Sequence, residues 1–143
     1  MGTSVLIVED NPFVLRLVAE RMRTLGLEPI CAADGSEASQ RVANQSFSLI
    51  ITDLDVPVVT GLQLLGVMHD RQPDAPIVVL APGECPFAKE AKELGAQCLL
   101  TKPFSMQQLE NVVRTLLDAR REKTSFGTDK LSKNPIGESS TLT

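Results

Sequence analysis

Short apolar runs and longer stripes at helical spacing alternate along this chain. Residues 4–8 form a brief apolar run, the length of a strand. Asn11 then stands where an N-cap belongs and Pro12 where the first helical residue belongs, pairing a side-chain acceptor with a preset φ. Val14, Leu17, Val18, Met22 and Leu25 make an apolar stripe at helical spacing, and Gly26 is placed to close that helix. Residues 27–31 predict a second strand. Asp34-Gly35-Ser36 turns the chain into a helix over 36–44, and residues 47–52 predict the third strand. That strand runs into Asp53 and Asp55, with Pro57 and Gly61 close behind, before a helix over 61–70.

The second half keeps the rhythm. "PIVVL", residues 76–80, is continuous and mostly β-branched, as a central parallel strand covered on both faces should be. "APGECPF" is rich in turn formers, and Pro86 is placed to begin a short helix that reaches 94 and ends at Gly95. Residues 97–100 predict the fifth strand. Ser105 and Gln108 have capping-box spacing ahead of the stripe Leu109, Val112, Val113, Leu116 and Leu117. Five strands alternating with five helices predict a doubly wound α/β fold with a parallel sheet between two helical layers. Strand order 2-1-3-4-5 is the flavodoxin-like arrangement expected. Few hydrophobic anchors follow Arg121, so the expected organisation is one domain over 1–122 and a flexible polar tail over 123–143.

Composition narrows the function classes. With 143 residues, 43% of them apolar, the chain suits a single domain with a proper core. A net charge of −4 argues against a direct nucleic-acid partner, which calls for a clustered basic face. Arg16, Arg21 and Arg23 lie close together but among acidic residues, and read as solvated surface. No secretory signal and no apolar run near the ~18 residues of a membrane span is visible, so membrane insertion is not expected. Cys31, Cys85 and Cys98 are odd in number and lack C-x-x-C spacing, which fits a reducing cytoplasm. Cys31 and Cys98 fall in predicted strands and read as small buried hydrophobes.

In such a sheet a ligand site lies beyond the carboxyl ends of the strands, where strand order reverses. Glu9 and Asp10 follow the first strand, Asp53 ends the third and Lys102 follows the fifth, so the expected order gathers them at one edge. Singly they are weak signals: an Asp before a helix is commonly a cap, and Lys102-Pro103 suits an ordinary loop. Together they describe several carboxylates beside one ammonium. Clustered carboxylates repel, a cost tolerated mainly where a divalent cation or a reaction requires it. A small hard cation such as magnesium accepts carboxylates, carbonyls and water. A lone histidine, His69, makes no zinc cluster, and no glycine-rich phosphate loop with a lysine is present.

On these residues the chain resembles the receiver domain of the two-component response-regulator family, of the chemotaxis-regulator type, over about residues 3–121. The resemblance rests on Glu9-Asp10 after the first strand, Asp53 ending the third, Pro57 and Gly61 at the usual offsets, and Lys102-Pro103-Phe104 after the fifth. It implies that Asp53 accepts a phosphoryl group from a sensor histidine kinase, a phosphotransfer protein or a small phosphodonor. The domain would catalyse its own phosphorylation and dephosphorylation. Magnesium would be held by the carboxylates of Asp10 and Asp53 and the backbone carbonyl of Asp55, with Glu9 acting mainly through water. Lys102 would pair with a phosphoryl oxygen. The expected contact face for a downstream protein or a second copy comprises residues 86–94, 97–100 and 105–121.

Two positions depart from the family pattern. Receivers usually carry Thr or Ser at the end of the fourth strand, and this chain has Ala81. They usually carry Tyr or Phe three residues before the lysine, and this chain has Leu99. Pro82 and Gly83 also replace the common small-then-polar pair. The alternative reading is a degenerate receiver that binds proteins without regard to phosphate. "DLD" at Asp53–Asp55 also resembles the nucleophile-x-acid pair of haloacid-dehalogenase phosphatases, but that family places it after the first strand. A flavodoxin-like cofactor binder would share the topology, yet the chain has no Trp or Tyr to stack a flavin.

Overall fold

The computed structural model describes residues 3–54 and 61–129, with side chains described as far as Arg120. Strands β1 (Thr3–Val8), β2 (Leu27–Ala32), β3 (Leu49–Asp53), β4 (Ile77–Ala81) and β5 (Ala96–Thr101) alternate with helices α1 (Pro12–Thr24), α2 (Gly35–Asn44), α3 (Gly61–Arg71), α4 (Ala88–Glu93) and α5 (Met106–Asp129). All strand pairs are parallel, in the order β2-β1-β3-β4-β5. The doubly wound, flavodoxin-like fold is therefore as expected.

Side-chain alternation along the strands divides the core into two layers. Leu6, Val8, Ile50, Ile77 and Val79 pack with Val42, Leu64, Leu65, Met68 and Ala91 of α2, α3 and α4. Val5, Ile7, Leu49, Ile51, Val78 and Leu80 pack with Val18, Met22, Leu109 and Val113 of α1 and α5. β3 and β4 are buried at all their positions, which explains the apolar runs over residues 49–51 and 77–81.

The caps expected at Asn11 and at Ser105–Gln108 form, and Asp34 caps α2 as well. The Asn11 side chain accepts from the Phe13 and Val14 amides, and Asp34 accepts from Glu37. Ser105 and Gln108 bond each other's backbone amides reciprocally. Gly26, with φ of 82°, leaves α1 in the left-handed region that favours glycine.

Four details depart from expectation, each for a local reason. α4 begins at Ala88, not Pro86, because its N-cap Phe87 offers no side-chain acceptor and the chain first makes a turn closed by Ala88 N–H to the Cys85 carbonyl at 3.3 Å. Leu17 is 42% exposed, since the buried stripe of α1 runs through Val18, Ala19 and Met22. Cys31 and Cys98 are half-buried because β2 and β5 are edge strands, and that burial pushes both thiols above their ordinary pKa. Arg21 is not merely solvated: its guanidinium donates to Glu110 at 2.8 Å and ties α1 to α5, while Arg114 bonds the other carboxylate oxygen. The two guanidinium bonds hold the Glu110 carboxyl below its usual pKa.

The entry to β3 is held by residues that sequence patterning does not single out. The Gln72 side chain accepts from the Phe47 amide at 2.8 Å and donates to the Val42 and Gln45 carbonyls at 3.0 and 2.6 Å. It thereby staples the α2–β3 connection to the end of α3.

Candidate functional site

Glu9, Asp10, Asp53 and Lys102 converge at the carboxyl edge of the sheet. β1 and β3 are direct neighbours, with Val8 opposite Thr52, so the residues that follow Val8 stand beside the end of β3. The Glu9 amide donates to the Ala32 carbonyl at 3.1 Å, extending the β1–β2 pairing by one bond. β4 ties the remaining pieces together. The Leu80 carbonyl accepts from the Leu54 amide at 3.3 Å and the Ala81 carbonyl accepts from the Lys102 amide at 2.8 Å. Ala81 thus stands between the strand that delivers Asp53 and the segment that delivers Lys102.

Burial gives the cluster its electrostatic character. Asp53 is 4% exposed and Glu9 2%, whereas Asp10 lies at the surface. One carboxylate oxygen from each of the three lies within 4.8 Å of the others. Lys102 Nζ donates to Asp53 Oδ2 at 3.0 Å. Burial opposes the charge on Lys102, but the bond and charge of Asp53, with Glu9 and Asp10 behind it, leave the ammonium raised above its ordinary pKa. Burial pushes the Glu9 carboxyl from 4.5 up to about 7; the Asn11 amide opposes this, and the charge of Asp53 adds to it. Glu9 Oε2 accepts from that amide at 3.1 Å, while among the described residues Oε1 is buried without a hydrogen-bond partner.

That buried acceptor is the observation against which a cation can be tested. Three hard carboxylates, one of them with an oxygen lacking a donor, match the ligand chemistry of a small divalent cation. Of the residues expected to contribute, Asp55 and Pro57 lie outside the described residues. Gly61, at the start of α3, is described: a Cβ there would overlap the Leu54 carbonyl, so only glycine allows this approach next to Asp53.

Ala81 is fully buried in the α2–α3–α4 layer, and Leu99 packs partly buried against the same layer. Neither offers a hydroxyl or an aromatic ring. Two supporting residues escape a sequence reading. Asn11 caps α1 with its side chain and orients Glu9 with its amide, of which only the first role leaves a sequence signal. Thr52 is buried and its hydroxyl donates to the Asp53 carbonyl at 3.0 Å; its place in an apolar run is the one hint.

The family model for the response regulator receiver domain matches residues 5–114. The response regulator protein FleR of Pseudomonas aeruginosa is 36% identical over 115 residues, covering 79% of this chain and 24% of FleR. The transcriptional regulatory protein CrdR of Helicobacter pylori is 31% identical over 112 residues, covering 77% of this chain and 53% of CrdR. This chain therefore spans only part of these relatives. Among solved structures, the chemotaxis response regulator CheY4 of Vibrio cholerae superposes with a TM-score of 0.74 at 29% identity, covering 81% of this chain and 99% of that one. A CheY-like receiver domain protein from Methanospirillum hungatei gives 0.82 at 22% identity, covering 86% and 99%, a likeness of fold.

Proposed function

The chain belongs to the response regulator receiver domain family, and from that premise we propose that it takes a phosphoryl group on Asp53 and signals through protein–protein contact. The observation that carries this reading is the Asp53 carboxylate, buried at the end of β3 and held by Lys102 at 3.0 Å with Glu9 and Asp10 beside it. An oxygen of Asp53 attacks the phosphorus of a phosphohistidine or an acyl phosphate. The new O–P bond forms as the bond to the donor's nitrogen or oxygen breaks, and the imidazole or carboxylate departs. β3 holds the nucleophile still, so little reorganisation accompanies attack. Lys102 already bonds Asp53 and is placed to follow charge onto the phosphoryl oxygens. Magnesium, held by Asp10 and Asp53 with Glu9 behind them and the Asp55 carbonyl as the expected further ligand, would supply positive charge for those oxygens.

A sensor histidine kinase or phosphotransfer protein is the proposed donor, and the cytoplasm the proposed setting. Among the described residues no helix is long and apolar enough to cross a membrane. The proposed contact face is α4, β5 and α5, where Phe87 and Leu94 are exposed apolar side chains. Ala81 and Leu99 favour a second element of the reading: the site is loaded but grips its phosphoryl group without a hydroxyl from β4, so that face responds weakly. Incubation with acetyl phosphate and magnesium, followed by intact mass, tests the first claim. One added phosphoryl group supports it. An unmodified mass at donor levels that label an ordinary receiver would move the chain to the phosphate-independent binding modules.

A further inference from the structure

α5 is longer than the sheet it covers. Its 24 residues span about 36 Å at the helical rise. The strands have five or six residues, roughly 17–20 Å. Over its first turns the helix is packed hard, with Leu109 and Val113 fully buried. Leu116 and Leu117 pack, partly buried, against the same core layer. A cleft of about 390 Å³ runs beside this stretch, lined by Pro73, Asp74 and Pro76 at the entry to β4, Gln97 of β5, and Leu116 and Arg120 of α5 itself. Arg120 reaches from this stretch to the residues just before β3. Its Nη1 donates to the Ser48 carbonyl at 2.7 Å and to the Phe47 carbonyl at 3.3 Å. A guanidinium on two consecutive carbonyls is a charge-assisted, directional tie.

We infer that Arg120 is a latch: it fixes the pose of the C-terminal arm of α5, residues 121–129, by holding the start of the strand whose other end carries Asp53. Residues 121–129 follow the last described core contacts, Leu116 and Leu117, and the latch selects one pose for them. The β4 and β5 positions that would transmit through a hydroxyl and a ring are Ala81 and Leu99. β3 and Arg120 supply a separate line from the site to the arm. This last step rests on the phospho-acceptor reading, whereas the latch itself does not.

Amide hydrogen exchange on the full chain tests both parts, comparing wild type with Arg120→Met, which keeps the apolar stem, and Arg120→Lys, which keeps the charge. Without ligand, exchange over residues 121–129 rises about tenfold or more in Arg120→Met and less in Arg120→Lys, while amides of β1, β3 and β4 keep their protection. Equal arm exchange in wild type and Arg120→Met overturns the latch, and so does loss of strand protection that matches the loss in the arm. With beryllofluoride and magnesium, wild type changes arm exchange about threefold and Arg120→Met does not, although amides beside Asp53 respond in both. An arm response retained in Arg120→Met overturns the proposed line. If wild type shows no response beside Asp53, the phospho-acceptor reading falls, and the ligand-free comparison alone decides the latch.

Discussion

Where the chain enters β3, the Phe47 amide bonds Gln72, the Ser48 amide bonds the Ser4 carbonyl, and the Phe47 and Ser48 carbonyls accept from Arg120. Where the same strand ends, Asp53 is delivered into a cluster of three carboxylates with one lysine, and a buried Glu9 oxygen lacks a partner among the described residues. An unsatisfied buried acceptor costs roughly 1–3 kcal/mol. The strand therefore tolerates at one end what it avoids at the other. The satisfied end serves the fold. The strained end is where a ligand or a reaction can collect the difference, as expected of a functional site.

The largest expected effect lies at the strained end. Asp53→Asn should abolish phosphoryl gain from acetyl phosphate in intact mass, where wild type gains one group. Magnesium should stabilise wild type and do much less for the variant, because a ligand stabilises only by preferring the folded state. Labelling of Asp53→Asn at the wild-type level would show that the acceptor lies elsewhere and would erase the contrast between the two ends.

At the satisfied end, Gln72→Ala removes three bonds that hold the α2–β3 connection. Water replaces part of them, so the expected loss is about 1–3 kcal/mol by urea titration. Phosphoryl gain should persist in the variant once folded. An unchanged urea midpoint would mean that the strand entry is held by its apolar packing alone.

Glu9 sharpens the comparison through pH. Its carboxyl is raised from 4.5 to about 7, so between those values the folded chain holds a proton that the unfolded chain releases. Without metal, the stability associated with the protonated form is fully present below 4.5 and is lost as pH rises to about 7 and beyond. Glu9→Gln cannot ionise and keeps an acceptor for the Asn11 amide. In chelator it should lose that slope and exceed wild type by roughly 1–2 kcal/mol above neutral pH. Urea midpoints measured across that window decide it, and parallel slopes in the two proteins would acquit Glu9 of the strain.

The smallest effect concerns Ala81. A hydroxyl there adds one bond to a phosphoryl mimic, worth about 0.5–1.5 kcal/mol, enough to shift a two-state population by up to an order of magnitude. Beryllofluoride with magnesium should perturb wild-type amides near Asp53, Gly83 and Lys102 and barely move α4, β5 and the part of α5 before residue 121. Ala81→Thr should enlarge that distant response. Large wild-type shifts across the face, unchanged in the variant, would remove Ala81 from the explanation.

Periodicity and capping carry most of the fold in this chain. Asn11, Asp34 and the Ser105–Gln108 pair announce helix entries through side-chain acceptors that work within one turn, so neighbours in sequence suffice to reveal them. The entry to α4 leaves no such signal, because Phe87 before it offers no side-chain acceptor. Leu17 illustrates a different limit, since helical spacing identifies a stripe but not its width, which the packing against the sheet sets. Arg21 looked like solvent-facing charge because its partner, Glu110, is 89 residues away.

The site divides in the same way. Glu9, Asp10, Asp53 and Lys102 were legible from residue type and position at predicted strand ends, because a parallel sheet has one carboxyl edge and sends its strand-end residues there. The absence of a hydroxyl at Ala81 and of a ring at Leu99 was equally legible, being a matter of residue identity. What the tertiary structure alone decided is the strength of the coupling. The tie from Lys102 to Asp53 spans 49 residues, Gln72 reaches the Val42 carbonyl across 30, and Arg120 reaches Ser48 across 72. Burial that raises Glu9 comes from surroundings assembled by several elements. Local sequence can specify a donor or a charge, but its partner and its dielectric surroundings exist only once the layers close.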